Sequence, residues 1–264
     1  MLSRRLFLST ALAAPAWTQT KAVKPPRKDR FHLFLLIGQS NMAGRGLVAD
    51  EDRKPNPRVL SFNKEGLWVP AVDPLHWDKP EVIGVGIGRS FAFEVLKANP
   101  GITVGLIPGA VGGSPIDAWK PGVFYEPTKS HPWDDAIRRA KLALPTGTFK
   151  GMLWHQGESD STPELAPTYQ AKLDDLIGRF RSELNAPEVP FLAGQLGQFP
   201  DSPWNEARKQ VDAVHRSLPS RVKAAAFVPS DGLNHKGDKV HFDAASYREL
   251  GKRYASAYLR LGKG

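Results

Sequence analysis

Five short apolar runs recur along the chain, each separated from the next by a stretch with helical spacing. Phe31–Ile37 is the first, Ile102–Ile107 the second, and Gly151–Trp154, entered from Phe149, the third. Val189–Leu196 and Val222–Val228 complete the set. Between them the spacing predicts helices over residues 87–98, 134–144, 168–184 and 203–217, with a last one over 244–261. In the third of these, Leu173, Leu176, Ile177, Phe180 and Leu184 fall on one helical face. In the last, Tyr247, Leu250, Tyr254, Ala257, Tyr258 and Leu261 do the same. Strands alternating with helices predict an α/β domain with a five-stranded, mostly parallel sheet and helices on both faces. Residues 47–86 carry several prolines and only a weak strand signal at Val59–Phe62, so they are expected to form a long loop over the rim of that sheet.

In such sheets ligands bind beyond the carboxyl ends of the strands. The polar, glycine-containing segments sit there. Gly38-Gln39-Ser40-Asn41 follows the first strand, and Gly109 to Ser114 the second. His155 to Asp160 follows the third, Gln195 to Gln198 the fourth, and the loop Pro229–His241 the fifth. Five such segments on one rim exceed what turn chemistry requires.

A strand that stops at Gly-x-Ser and enters a helical turn holds the serine hydroxyl clear of the sheet. Its N–H then lies where negative charge is stabilised. Ser40 is therefore the nucleophile candidate, with a Gly-Ser turn as the plain alternative. Met42 stands where a five-residue nucleophile elbow would have its second glycine, which argues against an ordinary α/β-hydrolase. A nucleophilic serine needs a base, and the base needs orienting. Asp238 and His241, three residues apart before the last helix, offer both. His235 is a rival base, and Asp231 and Asp243 are rival orienters; Asp243 is equally suited to capping the last helix. Oxyanion donors are Ser40 N–H, a backbone N–H of Gly112 or Gly113, and the Gln156 side chain. Gln39, Asn41 and Glu158 are candidates to support them. Ser114 and Ser159 are weaker nucleophile candidates. Pairing His155 with Glu158, or His235 with His241, gives no recognisable metal-site spacing, so neither metal nor cofactor is expected. Six tryptophans, at 68, 77, 119, 133, 154 and 204, lie in or near loops and suit either packing or a wall for a sugar.

Composition narrows this picture. The chain has 264 residues, room for one large domain or two small ones. It contains no cysteine, which excludes disulfides, thiolate metal sites and a cysteine nucleophile. The net charge is +9, yet the basic residues are scattered, with small clusters at 21–30 and 252–253. No basic stripe interleaves with aromatics, so nucleic acid is not an expected partner. The charge suits a solvated basic surface first, and attraction to an acidic polymer or cell surface second. Residues 1–22 place Arg4 and Arg5 before a short apolar stretch and small residues, as in a bacterial twin-arginine-type export signal. The stretch is too short for a membrane anchor. Residues 23–30 read as a linker, and 31–264 as one catalytic domain in a protein exported to the periplasm or the medium.

Four blocks, in order, carry a resemblance. Ile37 to Gly44 (IGQSNMAG) resembles the first block of the SGNH hydrolases, in the form found in sialate O-acetylesterase-like proteins and carbohydrate esterase family 6 acetylxylan esterases. Gly105–Trp119 resembles the glycine block, with Gly84-Val85-Gly86 and Ser90-Phe91-Ala92 before it. Trp154 to Asp160 resembles the Trp-x-Gln-Gly-Glu block, and Asp238 to Phe242 the closing Asp-x-x-His block. The resemblance covers about residues 31–260. It implies a three-layer α/β/α sandwich and a metal-free serine esterase. Ser40 would be its nucleophile, His241 its base and Asp238 the partner of His241. Ser40, Gly112 or Gly113, and Gln156 would hold the oxyanion. The expected substrate is an acetylated carbohydrate: acetylxylan or a related glycan, or else a peptidoglycan, exopolysaccharide or sialate ester. A non-catalytic carbohydrate-binding protein on the same scaffold is the reading from another class.

Overall fold

The computed structural model describes residues 21–262. The export-signal-like segment lies outside these residues except for its last two positions. In chain order the elements are β1 (Phe31–Gly38), α1 (Ser40–Ala43), β2 (Val59–Phe62), β3 (Trp68–Pro70), α2 (Gly88–Ala98) and β4 (Thr103–Pro108). Then follow α3 (Pro132–Ala143), β5 (Thr148–His155), α4 (Tyr169–Glu183), β6 (Phe191–Gly194), α5 (Glu206–Arg221), β7 (Ala225–Val228) and α6 (Ala244–Leu261).

The strands form one sheet in the order β3-β2-β4-β1-β5-β6-β7. All neighbours are parallel except the β2–β3 pair. Strand β1 lies at the centre. Its odd residues Leu33, Leu35 and Ile37 pack against α3, α4 and α5 through Ala136, Leu173, Ile177 and Val211. Its even residues Phe34 and Leu36 pack against α2 and α6 through Phe91, Val95, Leu250 and Tyr254. Strands covered on both faces need apolar side chains at every position. That is why the central strands are written as unbroken apolar runs.

The sheet has seven strands where five were expected. The extra pair comes from residues 47–86, which are not simply a loop. The β2–β3 hairpin joins the edge of the sheet beside β4. The linker expected at 23–30 also touches this edge, where Val23 N–H donates to Trp68 O at 2.8 Å. The rest of the segment does lie over the rim, and buried Arg139 of α3 fixes it there. Its guanidinium donates to Pro108 O at 2.8 Å and Asn63 O at 3.1 Å and stacks on Trp77 at 4.4 Å.

Candidate active site

Gly38 closes β1 in a conformation that only glycine adopts readily, with φ 128°. A Cβ there would lie 2.2 Å from the His155 carbonyl oxygen of β5. Gln39 N–H donates to that same oxygen at 2.9 Å. The chain can therefore leave the sheet abruptly, and Ser40 starts the short helix α1 beyond the strand ends.

The loop after β7 brings its side chains to this turn. His241 Nε2 lies 2.9 Å from Ser40 Oγ, and His241 Nδ1 lies 2.7 Å from Asp238 Oδ2. An ionised carboxylate only accepts, so Nδ1 carries the proton and the Nε2 lone pair faces the serine hydroxyl. Asp238 Oδ1 accepts from Val240 N–H at 3.0 Å and His241 N–H at 2.8 Å. Burial alone would raise the Asp238 pKa. The bonds from the His241 backbone and imidazole and from Val240 N–H outweigh it and hold the carboxyl well below the usual range.

The rivals have other occupations. His235 Nε2 faces Asp201 at 3.1 Å, and its Nδ1 accepts from Gly237 N–H at 2.9 Å, so it braces the loop. Asp243 caps α6 by accepting from Ser246 N–H at 2.7 Å. Asp231 offers its backbone carbonyl to Arg253. Ser114 is fully buried, donating to Val111 O and accepting from Trp119 Nε1. Ser159 Oγ donates to Gly113 O at 2.9 Å. Among the described residues no cluster of three or more His, Asp or Glu could hold a metal ion. Trp68, Trp119, Trp133 and Trp154 are core residues. Trp77 and Trp204 are half-buried.

The oxyanion donors need revision. Gly112 N–H donates to Asp78 Oδ2 at 2.7 Å and is thereby taken. Gly113 N–H and Ser40 N–H donate to no other backbone group among the described residues. Gln156 is also occupied. Its Nε2 donates to Ser114 O at 3.1 Å and Asp160 Oδ2 at 2.5 Å, and its Oε1 lies 2.8 Å from the Tyr169 hydroxyl. The residue is fully buried. Both of its N–H groups are spent inside the fold, so as arranged the amide presents none to a substrate. Burial raises the Asp160 pKa against this hydrogen bond.

Gln39 Oε1 accepts from Gly157 N–H and Ser159 N–H, both at 3.4 Å, and so ties the nucleophile's turn to the loop after β5. Glu158 is buried and accepts from Asn41 Nδ2 at 2.6 Å. Nearby His155 is neutral, since burial pushes its pKa down to about 3.

Asp78 was not singled out in the sequence. It lies in the proline-rich stretch, with no periodicity or motif to mark it. In the fold it pairs with Arg45 at 2.7 Å, both side chains almost wholly buried. Among the described residues no helix is long and apolar enough to cross a membrane.

The family described as carbohydrate esterase, sialic acid-specific acetylesterase, matches residues 30–260. A probable carbohydrate esterase of Arabidopsis thaliana is 30% identical over 249 residues, which are 86% of this chain and 90% of the relative. The X-ray structure of an Arabidopsis thaliana protein superposes with TM-score 0.76 at 29% identity, covering 87% of this chain and 98% of that one. A carbohydrate acetylesterase from Xanthomonas citri shares the fold, with TM-score 0.67 at 20% identity, over 88% of this chain and 57% of that one.

Proposed function

Since the chain belongs to the sialic acid-specific acetylesterase family of carbohydrate esterases, and is thus a carbohydrate acetylesterase, we propose that it works as an exported serine esterase through an acetyl-enzyme. The observation that carries this reading is the unbroken relay from Asp238 through His241 to Ser40, with contacts of 2.7 and 2.9 Å.

His241 Nε2 takes the Ser40 hydroxyl proton as Oγ attacks the acetyl carbonyl carbon. The carbonyl oxygen becomes an oxyanion, held by Ser40 N–H and Gly113 N–H. His241 returns the proton to the sugar oxygen as the ester bond breaks, and the sugar alcohol leaves. Water then gives a proton to His241 and attacks the acetyl-Ser40 carbonyl. Acetate departs, and His241 reprotonates Ser40 Oγ. Asp238 holds the imidazole in the required tautomer and offsets its charge.

The substrate is an O-acetylated glycan such as acetylxylan. Export is supported by Arg4 and Arg5 ahead of the short apolar stretch. The test is acetate release from acetylated xylan, sialoglycan and peptidoglycan fragments by wild type and Ser40→Ala. Release from at least one substrate, lost in the variant, is expected. Equal release by both proteins would remove the serine mechanism, and no release by wild type would favour a binding protein.

A further inference from the structure

We propose that Asn41 is a positioning residue that sets the distance between nucleophile and base. Its amide clamps the two peptide groups flanking His241 to the turn that carries Ser40. The proposal rests on the roles assigned above to Ser40 and His241.

Asn41 is wholly buried, immediately after the nucleophile. Its Nδ2 donates to Val240 O at 3.0 Å and to Glu158 Oε1 at 2.6 Å. Its Oδ1 accepts from Phe242 N–H at 3.4 Å and from the Tyr247 hydroxyl at 2.7 Å. Two of these partners fix which way the amide points. A backbone carbonyl can only accept, and a backbone N–H can only donate.

Val240 and Phe242 are the neighbours of His241 on either side. The loop after β7 contains no helix or strand before α6. The bonds from Asp238 to Val240 N–H and His241 N–H shape the loop internally but do not place it against Ser40. Among the described residues, the hydrogen bonds joining this loop to α1 are those of Asn41, apart from the contact between Ser40 and His241.

Glu158 completes the clamp. Its side chain is 7% exposed, and the nearest basic group, His155 Nε2, lies 3.9 Å away on a neutral ring. The short bond from Asn41 is the one hydrogen bond that the Glu158 side chain makes among the described residues. In return the carboxylate pins the amide rotamer. Tyr247 anchors the other side of the amide to α6. A residue so held transmits the rigidity of β1, the loop after β5 and α6 to a base that sits on a loop.

The test uses the full chain and an aryl acetate. Asn41→Asp is isosteric and keeps Oδ1 as an acceptor. It loses both donors and sets a carboxylate against Glu158 and Val240 O. Adding Glu158→Gln restores a hydrogen bond between positions 41 and 158 with its direction reversed. Circular dichroism establishes that each variant is folded. A misplacement of the reacting atoms by about 1 Å lowers kcat about 10²-fold. We expect that loss in Asn41→Asp with KM within about twofold, since only the reacting geometry is disturbed. Labelling of Ser40 by a fluorophosphonate should slow in parallel. The double variant should recover about tenfold of the lost kcat through the coupled pair. A folded Asn41→Asp with kcat within about threefold of wild type would overturn the clamp, as would a loss carried wholly by KM. A double variant no faster than the single would overturn it too. Ser40→Ala, run alongside, separates this failure from that of the serine mechanism: turnover retained there sinks the mechanism itself.

Discussion

Asp78 accepts the N–H of Gly112 at 2.7 Å with the same carboxylate oxygen that pairs with Arg45. The glycine loop is thereby fastened to the segment lying over the rim. The N–H of the neighbouring Gly113, at φ 81°, donates to no backbone group among the described residues. The site is assembled partly from a stretch that carries no catalytic motif.

Asp78→Asn should therefore cost both stability and rate. It leaves Arg45 charged and buried without its counter-ion, a loss of roughly 3 kcal/mol. Urea unfolding should record that loss. The kcat of the folded variant should fall, as Gly113 loses its anchor, by about tenfold. An unchanged urea midpoint would contradict the buried pair.

Gln156 divides two accounts of the oxyanion hole. If its amide is spent on Ser114, Asp160 and Tyr169, Gln156→Leu should destabilise the fold by roughly 2–4 kcal/mol, because buried partners lose their bonds. The folded fraction should keep kcat within about tenfold of wild type. Loss of a true oxyanion donor costs about 10²–10³-fold. A stable variant with such a loss would restore Gln156 to the hole.

The buried histidines make stability depend on pH. Burial pushes His76 down to about 4, and His155 and His215 down to about 3. Each stays neutral in the folded protein while the unfolded chain takes up a proton below about 6.5. Asp73, which burial pushes up to about 7, and Asp160, also raised, work the other way: the folded state keeps their protons as the unfolded state gives them up. The histidines outnumber them. Between about pH 5.5 and 4.5, stability should fall on acidification by roughly 2 kcal/mol per pH unit. A urea midpoint that does not change across this window would contradict neutral buried imidazoles.

Asp238 acts in a lower window. Its folded pKa is depressed, so its contribution to stability is full above its unfolded value of about 3.9 and is lost as pH falls towards the folded one. Across the acid limb of kcat/KM the carboxylate stays ionised. The carboxylate therefore adds no second proton to that limb. Asp238→Asn should lower kcat by about 10²–10⁴-fold, because the amide can stabilise the wrong tautomer. A slope of two, or an unaffected variant, would contradict this assignment.

Strands β1, β4, β5, β6 and β7 and the five long helices could be read from the sequence because their buried positions form apolar runs and helical spacings. The hairpin of β2 and β3 left only a weak strand signal, at Val59–Phe62. Its strands are four and three residues long, sit at an edge, and include Pro70. Ser40, Asp238 and His241 were legible because each lies in a short motif at a strand end or before a helix. Asp78 was not, since its contact with Gly112 spans 34 residues with no local pattern. Gln156 was ambiguous for another reason. A side-chain amide after a strand suits an oxyanion or an internal network equally well, and only the folded positions of Asp160 and Tyr169 separate the two.

The most direct measurement is a rapid-quench reaction with an aryl acetate, followed by peptide mass spectrometry. One acetyl group on the peptide containing Ser40, formed before steady state and absent in Ser40→Ala, is the predicted result. Acetate release without any acetylated Ser40, and at the wild-type rate in Ser40→Ala, would contradict it.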